Sequence, residues 1–163
     1  RVVVIGKRGA GHEFASDHIG SKIERVVRAS DRPILIASRA VSEPGAIVFA
    51  FDASKSANRA LERLVNSPLF TGLPVHIVMA DSENAVHRQA LDDAAGQLRD
   101  SHEVRTTLRQ GKPETVIADI VDQTPGAMLM MGAYGHSPLR TLIVGSTTTA
   151  MIRTVHVPVL LVR

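Results

Sequence analysis

The chain has 163 residues, 44% of them hydrophobic but only 3% aromatic, with no cysteine and a formal net charge of +3. That length holds about one domain with some excess, and the lack of cysteine excludes both a disulfide framework and a thiolate metal site. The 19 Lys and Arg and 16 Asp and Glu are spread without a basic block and with few rings to stack on bases, so no nucleic-acid partner is expected.

No apolar run nears the ~20 residues that span a bilayer, and no signal peptide is visible. The expectation is a cytoplasmic protein with no membrane partner, its core built from Val, Ile, Leu, Ala and Met.

The chain opens without an initiator Met in Arg1-Val2-Val3-Val4-Ile5-Gly6, a strand already under way. A glycine loop, a helix over about residues 20–30 and a strand over residues 33–38 follow, and residues 40–45, with Pro44 and Gly45, read as a linker. The run from Ala46 to Asp52 is an apolar strand ending in a carboxylate. After it Ala57, Ala60, Leu61, Leu64 and Val65 recur at helical spacing, and local sequence makes Asp52 the N-cap of that helix.

Pro68 and Gly72-Leu73-Pro74 turn the chain into a second strand over residues 75–80. Residues 83–99 form an amphipathic pattern, with Ala90, Leu91, Ala94, Ala95 and Leu98 on one side and mostly charged residues on the other. Val104 to Leu108 reads as a third strand, Pro113 opens a helix to about Asp122, and Ala127 to Met131 is a buried strand stopping at Gly132. Strands alternating with helices at this spacing imply βαβ units, hence a parallel sheet with right-handed crossovers and helices on both faces. In such sheets ligands sit at the carboxyl ends of the strands, where Asp52, Ala80 and Gly132 all fall.

Past that strand, Gly132 and Gly135 permit a tight path, and Gly145 precedes Ser146, Thr147, Thr148 and Thr149 at the start of a helix. Consecutive hydroxyls are poor helix formers, because they compete for backbone hydrogen bonds, but good donors to a ligand. The free N–H groups and dipole of a first helical turn favour an anion such as phosphate in the same place.

Gly132, two residues, Gly135, nine residues and Gly145-Ser146 resemble the G-x2-G-x9-G-[ST] signature of the universal stress protein family. The resemblance implies a Rossmann-like α/β fold: an open, mostly parallel five-stranded sheet with helices on both faces. It implies a regulatory module in stress response that binds ATP or a related adenine nucleotide, with any Mg²⁺ carried in by the phosphates. The residues it points to are Asp52, Ala53, Ala80, Met131, Gly132, Tyr134, Gly135, His136, Gly145, Ser146, Thr147 and Thr148. The family's Asp-Gly-Ser at the end of the first strand stands here as Asp52-Ala53-Ser54. In the family that Asp contacts the base or ribose. Tyr134, the one tyrosine, either stacks on the ligand or is a half-buried loop aromatic, and His136 and Arg140 either meet a phosphate or face solvent.

The histidines show no metal-ligand spacing, and no nucleophile elbow, Walker A sequence or carboxylate pair is present. A binding module is therefore expected rather than an enzyme. Slow ATP hydrolysis at the same pocket and a ligand-free dimerisation scaffold stand as the alternatives.

An internal echo extends the resemblance. Gly6, Gly9, Gly20-Ser21 and Pro33 match Gly132, Gly135, Gly145-Ser146 and Pro158, with 13 residues from the Gly-Ser pair to the Pro in both copies. The expected organisation is the C-terminal third of a preceding repeat over residues 1–39, a linker over 40–45 and a complete domain over 46–163, the chain being the remnant of a tandem protein. In the family the last strands of two repeats pair antiparallel. Residues 158–162 are thus expected to meet either a symmetry mate in a homodimer or residues 33–37 in an intramolecular pseudo-dimer.

Overall fold

The computed structural model describes residues 1–7, 23, 25–27, 29–38, 43–133 and 146–163, Ser146 by its backbone alone. Their strands are β1 (Val3–Gly6), β2 (Ile34–Ala37), β3 (Ala46–Ala50), β4 (Val75–Met79), β5 (Val104–Leu108), β6 (Ala127–Gly132) and β7 (Val159–Val162). The helices that follow the linker are α1 (Lys55–Asn66), α2 (Ala85–Leu98), α3 (Pro113–Asp122) and α4 (Ser146–Thr154). Residues 23, 25–27 and 29, between β1 and β2, are also helical.

Local chemistry sets the helix starts. Ser54 is the N-cap of α1, its hydroxyl accepting the Ala57 N–H at 3.2 Å, so the cap lies two residues later than Asp52. Asp52 instead accepts the Ser54 N–H at 3.0 Å, closing the turn that leads into the helix. Asn84 caps α2 by accepting the His87 N–H at 2.9 Å. Pro113 occupies the first turn of α3, where its missing N–H leaves no donor unpaired, and Glu114 complements the dipole there.

All seven strands join one sheet in the order β1-β2-β7-β6-β3-β4-β5. Every neighbouring pair is parallel except β2 and β7, which run antiparallel with Ile34 opposite Leu161 and Leu35 opposite Leu160. The expected five-stranded sheet is thus corrected to seven strands. Residues 3–6 and 34–37 do not form a unit of their own, because β7 carries apolar residues on both faces and its edge is where β2 can bury them.

Two cores lie on the two faces. Ile47, Phe49, Met128, Met130, Leu160 and Val162 pack under α1 and α2, whose Ala57, Ala60, Leu61, Leu91 and Leu98 supply the other half. On the opposite face Val48, Leu129, Met131, Val159 and Leu161 pack with α3, α4 and the helical residues Ile23 and Val27. Ile34 and Ile36 of β2 enter this second cluster at 2% and 1% exposure, so the front segment is part of the core.

Polar contacts tie the same segment down. The Lys7 ammonium donates to the Val155 carbonyl just past α4, a cation at the negative end of a helix. Arg163 reaches the Ser30 carbonyl at 3.5 Å and the Asp31 carboxylate at 3.8 Å. Elsewhere His76 on β4 shares a 2.8 Å hydrogen bond with Thr107 on β5, and burial, then the nearby Arg105 charge, lower its pKa.

If β2 is integral, Ile36→Ala should cost about 2–5 kcal/mol, the usual range for deleting a buried isoleucine side chain. Urea unfolding followed by circular dichroism should then show one transition moved to lower urea. A separate early transition, with the rest of the sheet unaffected, would show that β1 and β2 fold apart from it.

Candidate functional site

The topology puts one end of the sheet at the centre of the argument. The chain runs from β3 outward to β4 and β5, then returns to place β6 on the other side of β3. Helices α1 and α2 cover one face and α3 and α4 the other, so the strand order reverses between β3 and β6. Ligands of open α/β sheets bind outside the carboxyl ends of the strands at such a reversal.

Asp52, Gly132 and Ala80 lie just past or at the carboxyl ends of β3, β6 and β4. The register pairs Ala50 with Met131 and with Val78, so the three positions sit side by side. Asp52 is exposed and holds its carboxylate toward the Ser54 N–H. Ala80 is half-buried, its methyl packed on the α3 and α4 side. Met131 is 5% exposed and its side chain belongs to that core, which leaves its backbone as the part able to meet a ligand.

Ala53 has φ +56°, the left-handed conformation that glycine adopts without strain. A methyl-bearing residue there costs about 1–2 kcal/mol. The strain sits at the turn between β3 and α1, beside the exposed Asp52, where a site is expected to store it.

Gly132 has a packing reason of its own. A Cβ built on it would stand 2.7 Å from both the Ala57 backbone nitrogen and the Ser56 hydroxyl. The first glycine of the signature therefore lets β6 end against the first turn of α1, and that close approach accounts for glycine with or without a ligand. The next residue, Ala133, donates its N–H to the Val162 carbonyl at 2.7 Å and is 2% exposed, so that amide is committed to β7.

Sequence reasoning named Ser54 only as the last residue of Asp52-Ala53-Ser54 and passed over Ser56. Ser54 and Ser56 are 7% and 6% exposed, and their hydroxyls lie 3.1 Å apart. The signal was available as Ser-x-Ser just past Asp52-Ala53.

In α4, Thr147 is half-buried and Thr148 is 3% exposed. The Thr148 side chain makes no hydrogen bond among the described residues, and a buried hydroxyl without a partner costs about 1–3 kcal/mol. Ser146 starts the helix. Tyr134, Gly135, His136 and Gly145, together with Arg140, lie outside the described residues. Among the described residues no group of three or more His, Cys, Asp or Glu side chains is placed to hold a metal ion, and no helix is long and apolar enough to cross a membrane.

Two substitutions separate packing from strain. Gly132→Ala should destabilise by about 1–3 kcal/mol, since backbone atoms of α1 must move to admit the methyl. Ala53→Gly should stabilise by up to about 1 kcal/mol, the relief of strain exceeding the added entropy of the unfolded chain. Thermal melts of both variants check this. An unchanged Gly132→Ala melt would contradict the tight approach, and a lowered Ala53→Gly melt would contradict the left-handed turn.

The universal stress protein family matches residues 45–163 of the chain. The universal stress protein Slr1230 of Synechocystis sp. is 31% identical over 165 residues, an overlap of 99% of this chain and 58% of that protein. A universal stress protein structure from Archaeoglobus fulgidus superposes with a TM-score of 0.79 at 28% identity, over 99% of this chain and 62% of that one. The structure of the universal stress protein UspA from Lactobacillus plantarum superposes with a TM-score of 0.60 over 75% of this chain and 100% of that one, and at 20% identity this is a likeness of fold alone. The chain thus spans about three fifths of the length of the Synechocystis and Archaeoglobus proteins. The family match, which takes in well over half of the residues, establishes that this chain belongs to the universal stress protein family.

Proposed function

We propose that the chain is an adenine-nucleotide-binding regulatory module, with ATP as the reference ligand, whose occupancy is read by a partner. The observation that carries this reading is the side-by-side placement of Asp52 and Gly132 across the β3–β6 reversal, with the Gly-x2-Gly-x9-Gly-Ser sequence leading from there into α4. The roles follow from chemistry. Asp52 would accept hydrogen bonds from ribose hydroxyls or the base, and the first turn of α4 would offer amides, hydroxyls and its positive dipole to the phosphates. The Thr148 hydroxyl, buried and without a hydrogen bond among the described residues, fits that assignment, since a phosphate oxygen would satisfy it. Mg²⁺ would enter on the phosphates, as it does where a protein provides no dedicated cage.

In the same reading the protein binds rather than turns over its ligand and works in the cytoplasm. Residues 1–39 are the last third of a preceding repeat, so that β2 and β7 form the seam of an intramolecular pseudo-dimer.

Nucleotide affinity of the purified chain, measured by calorimetry beside Gly145→Val, tests the reading. The variant should lose at least about tenfold in affinity, equal to 1.4 kcal/mol, with an unchanged far-ultraviolet spectrum, because a branched side chain there takes up the phosphates' space. Full affinity in the variant overturns the phosphate role of the glycine motif, no affinity in the parent supports the scaffold alternative, and steady ADP release by the parent supports the slow ATPase.

A further inference from the structure

The internal echo can be carried onto the sheet residue by residue. With Gly6 set on Gly132 and Pro33 on Pro158, Val2 and Val4 fall on Met128 and Met130, and Leu35 and Ala37 fall on Leu160 and Val162. The backbone hydrogen bonds obey the same match. Val3 donates to the Pro33 carbonyl at 2.9 Å as Leu129 does to Pro158, and Lys7 donates to Ala37 at 3.2 Å as Ala133 does to Val162 at 2.7 Å.

Burial breaks the match on one face only. Val3 and Ile5 pack on the core beneath α3 and α4, as their counterparts Leu129 and Met131 do. On the other face Met128, Met130, Leu160 and Val162 are at most 4% exposed beneath the α1 and α2 layer, whereas Val2 and Val4 are 45% and 61% exposed and Leu35 and Ala37 remain partly open. The strand edge breaks in the same place. Residues of β6 alternate between bonding β7 and bonding β3, so the amides of Val4 and Gly6 point to the outer edge of β1, where no strand pairs among the described residues. An exposed apolar face beside an open edge is a docking surface.

We propose that this surface receives a strand followed by an amphipathic helix from polypeptide ahead of Arg1, laid on β1 and β2 as residues 46–66 are laid on β6 and β7. The strand pairs parallel to β1 through the Val4 and Gly6 amides, and the helix covers Val2, Val4, Leu35 and Ala37. The proposal rests on the tandem reading, and the relatives that this chain spans by only about three fifths leave room for such a unit. A second copy of the chain fits less well. Its own β3 and α1 are already used within its sheet, so pairing of two β1 edges would bring no apolar helix face to Val2 and Val4.

The test compares the 163-residue chain with the longer polypeptide in which Arg1 is preceded by its natural sequence. In the 163-residue chain Val4→Glu should shift Tm by less than about 2 °C, as an exposed substitution does. In the longer polypeptide the same change should lower Tm by at least about 5 °C, with Val4→Ala acting in the same direction. Amide exchange at Val4 and Gly6 in the unmutated longer polypeptide should be at least about 100-fold slower than in the 163-residue chain. Equal exchange in the two overturns the docking and leaves the tandem reading standing. A natural sequence without a strand and amphipathic helix ahead of Arg1 overturns the tandem reading itself. Sedimentation showing a dimer of the 163-residue chain that Val4→Glu dissociates overturns the proposal in favour of a second copy.

Discussion

The antiparallel pairing of β2 with β7 is the contact on which the rest of the architecture depends. β7 is apolar on both faces, with all four residues at most 4% exposed, and a parallel strand of that kind cannot stand at an open edge. By bonding Ile34–Ala37 to Val159–Val162, the chain converts that edge into the middle of a seven-stranded sheet. Leu161 and Ile34 then share one core, so the front segment is held by burial in addition to backbone hydrogen bonds.

The same pairing steadies the candidate site. Val162 accepts from Ala133, which fixes the end of β6, and Gly132 is in turn held against the first turn of α1. That turn carries Ser54 and Ser56 and follows the strained Ala53 and the exposed Asp52. The Asp52 side of the site is thus positioned by packed backbone rather than by long side chains. Pre-organisation of this kind reduces the ordering that a bound ligand would otherwise impose. Its cost is local strain at one residue, which the surrounding core over-determines.

Much of this was legible in one dimension. Alternating strand and helix periods gave the α/β class, and Gly72, Gly111 and Gly126, all with positive φ, stand in the turns where the sequence breaks. The spacing of Gly132, Gly135 and Gly145-Ser146 led to the family to which the chain belongs. Less legible was the origin of each glycine requirement. Gly132 read as room for a ligand, while the fold shows α1 occupying the space that its Cβ would need. Asp52 read as the helix cap, but the preference is shared by Ser54, and only the backbone path decides which side chain reaches the Ala57 amide.

The sequence alone determined the element order, the family and the residues brought to the carboxyl ends of the strands, because these follow from periodicity and short-range spacing. Tertiary structure alone decided that β2 rather than another copy lies against β7, that the sheet has seven strands, and that Val2 and Val4 are left uncovered while Met128 and Met130 are not. Pairings between residues more than 120 positions apart depend on which apolar faces remain unburied once the local elements have formed, and that remainder exists only in three dimensions.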